Sequence, residues 1–435
     1  MINVSVVSIT RGIVGLISLI IISYLLSNNK KKIKWRIVSV SILVQFAIAV
    51  LIIKIPFIQS LFKIFSKFFV RIINYTTTGS SFLFSFLVDQ ENSSYIFAFQ
   101  VLPVIIFFSA LTSMLYHLGV IQRVVSFLAW LLNRFLKISG AESLSLAGNI
   151  FLGQTESPIL IKSYLEKMTK SQLFIVMVGG MSTVSGSVLA AYIGLLGGSD
   201  VTEQLKFSTH LLTASVMAAP GAVAISKIIF PDSEKHVEDP LEIQKDKMNG
   251  NILLSITRGT VEGVKLAVNV GAMLLVFLAI IALLNDIMWF IGDLFGLNIL
   301  ISEFTNFDNF SIEFILGYLL APLMWLIGVT YQECSLMGQL LGIKIVSTEF
   351  VAFIQLAELK NLDTAINLIS KKSITMATFM LCGFANLASI GIQIGGIGVL
   401  APGQRKNLSE LGFKAMIAGT IVSLISACFA GILIG

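Results

Sequence analysis

Runs of roughly twenty residues apolar enough to cross a bilayer recur along this chain, and they limit its fold more than any other feature. They cover residues 13–26 (extended back past Arg11), 37–53, 95–116, 173–199 and 207–226, then 266–285, 314–332, 373–404 and 415–435. Of 435 residues, 56% are hydrophobic and only 12% charged. That excludes an ordinary soluble protein and indicates an all-α polytopic membrane protein. In hydrocarbon every backbone N–H and C=O needs an internal partner, and a helix supplies it. Some of these runs have to be hairpins rather than full spans.

Charge sets the orientation. Lys30, Lys31, Lys32, Lys34 and Arg36 follow the first run, which puts the first loop in the cytoplasm. No small-residue cleavage pattern follows that run, so it reads as a retained helix. Arg405 and Lys406 place the loop before the last run inside as well. Eight spans satisfy both, with both termini outside the cytoplasmic membrane. The net charge of +6 then reports orientation and not nucleic-acid binding, because the basic residues are not gathered on a soluble domain. Cys334, Cys382 and Cys428 lie in apolar segments without Cys-x-x-Cys spacing and read as packed side chains. His117, His210 and His236 have no metal-binding spacing.

Lys63, Lys67 and Arg71 recur every fourth residue between Phe57 and Arg71, with phenylalanines and aliphatics on the other faces. This predicts an amphipathic helix lying in the interface. The stretch from Pro231 to Asn249 is rich in Asp, Glu, Lys and Gln and reads as a flexible cytoplasmic connection between two hydrophobic halves. The chain divides into 1–115 (first spans and interfacial helix, mostly scaffold), 116–230 (first hairpin, broken fourth span, fifth span), 231–255 (linker) and 256–435 (sixth span, second hairpin, broken seventh span, eighth span).

Gly153-Gln154-Thr155-Glu156-Ser157-Pro158 carries the only charge between Leu144 and Leu160. A carboxylate at that depth costs at least about 2.5–3.5 kcal/mol and marks a site or pathway. Pro158 interrupts the helix, and broken backbone in a membrane is tolerated where it is buried or lines a cavity. The halves look related. Gln154-Thr155-Glu156 precedes an apolar helix interrupted at residues 179–187, and Gln332-Glu333 precedes one interrupted at residues 383–389, continuing to Gly395-Gly396. Paired Gly-interrupted segments in corresponding positions point to a secondary transporter's binding site, with two oppositely entering re-entrant hairpins in inverted repeats.

Glu156 and Glu333 would serve as acids, acceptors or proton carriers. No metal cluster, nucleophile–base pair or phosphate-binding lysine accompanies them, so a membrane-embedded enzyme is the remote alternative. Carboxylates beside Gln, Asn, Thr and Ser suit a neutral ligand rich in hydroxyl and amide groups. Asn149 and the break at Thr183 offer hard oxygen ligands for an alkali cation, or else hydrogen bonds to neighbouring helices.

At these residues the chain resembles the concentrative nucleoside transporter family over essentially its whole length. The matches are residues 148–158 (Gly-Asn-Ile-Phe-Leu-Gly-Gln-Thr-Glu-Ser-Pro), 168–173, 186–192, 269–274 (Asn-Val-Gly-Ala-Met-Leu) and 381–390 (Leu-Cys-Gly-Phe-Ala-Asn-Leu-Ala-Ser-Ile). The resemblance implies a homotrimer with eight spans per subunit, two re-entrant hairpins and a transport domain moving in elevator fashion against a fixed scaffold, carrying nucleosides with sodium as coupling ion and no organic cofactor. It implies that Gln154, Thr155 and Glu156 contact the base with Val188 packing on it. Glu333, Asn386 and Ser389 would hold the ribose hydroxyls, with Phe384 lining the pocket. Sodium would be held by the side chains of Asn149 and Thr183 and the carbonyls of Leu152, Thr183 and Val184. Proton coupling on the same fold is the nearest alternative, and Asn149 with the Thr183 hydroxyl favours sodium. Two positions depart from the family pattern: Gly328-Val329-Thr330-Tyr331 stands for Gly-Val-Pro-Trp, and Thr348-Glu349-Phe350 for Asn-Glu-Phe. Glu349 is therefore left outside the expected site.

Overall fold

The structure, a computed structural model, describes residues 6–88, 96–198, 200–232, 251–361, 367–368 and 370–434. Among these residues every regular element is helical. Two apolar helices, α1 (Val6–Leu25) and α2 (Trp35–Lys54), open the chain. Next, α3 (Pro56–Phe84) starts with a proline in its first turn, where the missing N–H does no harm. It includes the predicted interfacial stretch and runs on well past Arg71. Within this continuation the Thr76 and Thr77 hydroxyls bond back to the carbonyls of Ile72 and Ile73, so they do not stand unpaired. The one-turn α4 (Phe97–Gln100) leads into α5 (Leu102–His117) and the amphipathic α6 (Val120–Leu136).

A first helical hairpin follows. Its first arm is α7 (Gly140–Asn149), whose start is fixed by a capping box between Ser139 and Glu142. The chain turns through residues 150–156 and returns in a 3₁₀ stretch, Ser157–Ile161, and the short α8 (Lys162–Leu165). A broken helix comes next: α9 (Lys170–Ser182), then Thr183 in extended conformation, then α10 (Gly186–Gly197). The long α11 (Val201–Ile229) closes this half.

The second half repeats the order. After α12 (Ile252–Leu294) and α13 (Leu297–Phe304) come α14 (Ile312–Leu326), α15 (Cys334–Val346) and α16 (Glu349–Leu359). The second broken helix is α17 (Lys371–Leu381) with α18 (Leu387–Leu400), and α19 (Arg405–Ile434) ends the chain. Entry helix, two-armed hairpin, broken helix and long helix thus recur as α6–α11 and α14–α19. In this order α15 corresponds to α7, and the turn at Ser347-Thr348 to the turn at residues 150–156. The sequence reading paired Gln332-Glu333 with Gln154-Thr155-Glu156 of the first hairpin. That segment instead joins α14 to α15. It begins at Gly328, whose positive φ of 102° ends α14. Arg11 secures it, stacking on Trp325 at 5.4 Å and donating to the carbonyls of Trp325 (3.0 Å) and Val329 (2.8 Å).

Seven helical units among the described residues are long and apolar enough to cross a membrane. The α9–α10 pair, α11 and α19 are almost wholly enclosed, whereas α12 is mostly exposed. One face of α12 is the exception: Gly259 and Gly263 lie so close to α5 that a Cβ on Gly259 would sit 2.5 Å from Ser113 Cβ. Small residues spaced by four are how membrane helices approach closely. At one end of the enclosed group, Lys227 of α11 is buried between Glu142 (2.9 Å) and Asp232 (2.6 Å). Asp232 also accepts from Ser171 and reaches Lys34. Replacing Lys227 by Met removes the ammonium from between two buried carboxylates, and breaking such a pair costs about 3–5 kcal/mol. The purified variant should therefore unfold at a clearly lower temperature than wild type in the same detergent. An unchanged transition would show that the cluster contributes nothing.

Candidate functional site

The two breaks meet at the centre of the enclosed group. Phe384 N–H donates to the Thr183 carbonyl at 3.2 Å, and a Cβ on Gly383 would lie 3.0 Å from the Met181 carbonyl. Only glycine permits that approach. Around this junction each hairpin reaches the other half's broken helix. From the first turn, Gln154 donates to Ser389 Oγ of α18 at 3.1 Å. Thr155 packs where a Cβ on Gly396 would be 2.8 Å away. From the second turn, the Glu349 carboxylate accepts from Tyr192 of α10 (2.9 Å) and from Asn386 Nδ2 (2.7 Å). Asn386 in turn caps α18, its side-chain oxygen taking the Ser389 N–H at 2.8 Å. Tyr192–Glu349–Asn386–Ser389–Gln154 is therefore a single hydrogen-bonded chain across both halves. Val188 stands one helical turn before Tyr192 and shares its face.

Glu156 lies at the other edge of the first turn. Its carboxylate accepts the Gly153 N–H at 3.2 Å and opens onto a cavity of about 230 Å³. Phe151, Ser185 and Ser187 line it from the first half, and Ser113, Tyr116 and Glu262 from α5 and α12. Such a space suits one small solute. A larger cavity of about 750 Å³ lies between α14 and the α14–α15 segment, lined by Tyr318, Trp325 and Tyr331, away from this polar chain.

The predicted cation ligands also come together. Asn149, the last residue of α7, is buried with neither side-chain oxygen nor nitrogen hydrogen-bonded. It faces α9, where a Cβ on Gly179 would lie 3.1 Å from its Nδ2. Thr183 Oγ1 donates to the Gly179 carbonyl at 2.9 Å and keeps its lone pairs available. Gly186 N–H donates to the Phe151 carbonyl at 2.9 Å, bringing the stretch around Leu152 against the break that contains Val184. An orphaned buried amide beside the carbonyls of a helix end fits a hard monovalent cation.

One expected partner is not brought to this centre. Glu333 stands before α15, and its carboxylate accepts the Ser370 N–H (2.9 Å) and the Ser373 hydroxyl (2.5 Å) at the start of α17. A carboxylate is at home at a helix N-terminus. The length of α15, roughly 20 Å at 1.5 Å per residue, separates it from the turn that carries Glu349. Ser139 and Gln172 meet in the same way at the base of the first hairpin. Of the expected ribose contacts, Asn386 and Ser389 are together, with Phe384 half-buried beside them, and Glu349 occupies the place expected for Glu333. Tyr192 and Glu349 are the residues that sequence reasoning missed. A polar residue within an apolar run, and a carboxylate opening a helix after a two-residue turn, were the available signals.

A polar centre enclosed between two broken helices of a multi-pass membrane protein defines a transporter. The chain belongs to the sodium-dependent nucleoside transporter family. Residues 14–87 match its N-terminal part and residues 210–431 its C-terminal part, and residues 98–199 match a nucleoside-recognition region. This is a family of transporters and not of enzymes. An uncharacterized transporter of Haemophilus influenzae is 39% identical, covering 98% of both chains. Sodium/nucleoside cotransporter 1 of Rattus norvegicus is 36% identical, covering 96% of this chain and 63% of its own length. Among solved structures, CNTnw in an inward-facing substrate-bound state superposes with a TM-score of 0.88 at 36% identity, covering 98% of this chain and 99% of that one. A CNTnw variant in an outward-facing state superposes with 0.90 at the same identity and coverage.

Proposed function

We propose that this protein takes up nucleosides across the cytoplasmic membrane with sodium, by an elevator-type movement of the enclosed helices against a scaffold that includes α5 and α12. In this reading the chain spans the membrane eight times with both termini outside, the two hairpins are re-entrant, and three subunits assemble through the exposed scaffold face. Gln154, Thr155 and Glu156 hold the base against Val188. Asn386, Ser389 and Glu349 hold the ribose, with Phe384 lining the pocket. Asn149, Thr183 and the carbonyls of Leu152, Thr183 and Val184 hold the sodium ion, which supplies the driving force. The observation that carries the reading is the hydrogen-bonded chain in which each hairpin turn reaches the opposite broken helix. A ligand gripped there engages both halves at once.

One sodium ion suffices energetically. A charge falling through about 100 mV yields about 2.3 kcal/mol, and a tenfold gradient adds roughly 1.4 kcal/mol. Together these support a several-hundredfold accumulation of a neutral solute, at about 1.4 kcal/mol per decade. In proteoliposomes, labelled uridine should accumulate under an inward sodium gradient and equilibrate without one. Uptake indifferent to sodium but driven by a pH gradient would overturn the ion, and failure to take up any of a panel of nucleosides would overturn the substrate class. Asn149→Ala should raise the sodium concentration for half-maximal uptake about tenfold, the equivalent of one lost ligand worth about 1.4 kcal/mol. An unaltered sodium dependence would remove Asn149 from the ion site.

A further inference from the structure

Each half of the molecule ends the first segment of its broken helix in the protein interior. There the last carbonyls lack intrahelical partners and the helix dipole favours a cation. At the end of α9 the neighbouring side chain is the neutral amide of Asn149, without a hydrogen bond. At the end of α17 the neighbour carries its own charge. Lys344 of α15 is fully buried and its ammonium donates to the Met380 carbonyl at 2.8 Å. The two positions correspond in the repeat. Asn149 closes the first arm of its hairpin shortly before Glu156, and Lys344 lies near the end of the corresponding arm shortly before Glu349.

We propose that the Lys344 ammonium takes, in the second half, the place that an exchangeable alkali cation takes in the first. It is a tethered cation that leaves one free cation site per subunit. The inference rests on the reading of Asn149 and Thr183 as cation ligands. A tethered ammonium cannot dissociate, so it stays on the α17 end throughout the cycle, and only the first-half ion reports the sodium gradient.

Lys344→Ala leaves space for a small cation, and Lys344→Met fills it with an apolar chain. In proteoliposomes, wild-type uptake should depend on sodium with a Hill coefficient of one. Lys344→Ala should lose about tenfold in uptake, the loss equivalent to about 1.4 kcal/mol. Methylammonium should restore that uptake saturably, or a second sodium should raise the Hill coefficient toward two. Lys344→Met should lose uptake without rescue. Thermal unfolding of the purified variants gives a readout independent of transport: methylammonium should stabilise Lys344→Ala and leave Lys344→Met and wild type unmoved. Wild-type uptake by Lys344→Ala with a Hill coefficient of one, or a folded Lys344→Ala indifferent to methylammonium and to added sodium in both assays, would overturn the proposal. A wild type that sodium neither drives nor stabilises would overturn the first-half site instead, while methylammonium stabilisation of Lys344→Ala would still register the second.

Discussion

Glu349→Ala is expected to weaken nucleoside binding by at least about a hundredfold, whereas Glu333→Ala should leave it nearly unchanged. The Glu349 carboxylate is buried and accepts from Tyr192 and Asn386. Hydrogen bonds to a charged group are worth about 1.5–3 kcal/mol each, and stranded buried donors add their own penalty. Without the carboxylate, the buried Asn386 Nδ2 donor is left without its partner while its oxygen still caps α18, so the ribose side of the pocket loses a ligand and carries a stranded donor. Two such losses amount to about a hundredfold or more. Glu333 binds the first turn of α17. Removing it should lower the unfolding temperature and leave the half-saturating nucleoside concentration within about threefold, less than the tenfold that 1.4 kcal/mol represents. Uridine titration of both purified variants, with unfolding followed in parallel, decides the matter. Wild-type affinity in Glu349→Ala together with a hundredfold loss in Glu333→Ala would reverse the assignment.

That contrast also shows what the sequence carried and what it did not. The apolar runs announced the membrane helices, and the Gly- and Ser-rich interruptions near Thr183 and Gly383 announced both breaks, because each is punctuated by residues that end or reshape a helix. Gln154, Asn386 and Ser389 lie at or beside such punctuation, and the family resemblance supplied their roles. The turn at Ser347-Thr348 has neither glycine nor proline beside it, so nothing local separates α15 from α16. The loop before α15 has Gly328 and a Gln-Glu pair that imitates the first turn. It therefore attracted the site role, given to Glu333, that the structure places one helix later at Glu349. Lys344 was invisible in another way. A lone lysine in an apolar run ordinarily snorkels toward water, and only the packed structure shows this one capping the α17 end in the interior. The order of elements in the two halves, read together with the contacts at their bases and turns, is what distinguishes the two loops.

Glu156→Gln is expected to abolish concentrative uptake while leaving folded protein in the membrane. Of the charged side chains in the first turn and its arms, it alone opens onto the small cavity between the first hairpin and α5 and α12. Its carboxylate is held by only one backbone N–H, from Gly153, and an ionised carboxylate can accept about four hydrogen bonds. It therefore retains acceptor capacity for donors of a nucleobase. Glutamine keeps the shape but turns half of that acceptor into a donor, so a base N–H would face another N–H. A site built around such a bond rejects the mismatched partner by as much as about 10⁴-fold. Fold stability should change little, since the one backbone contact survives with the amide oxygen. Glu262 of α12 lines the same cavity from the scaffold side. The expected result is wild-type unfolding behaviour with uridine uptake at background, in sodium-loaded and sodium-free vesicles alike. Uptake at wild-type rates by Glu156→Gln would mean that the nucleobase is recognised elsewhere, and that this carboxylate serves the packing of the first hairpin against the scaffold.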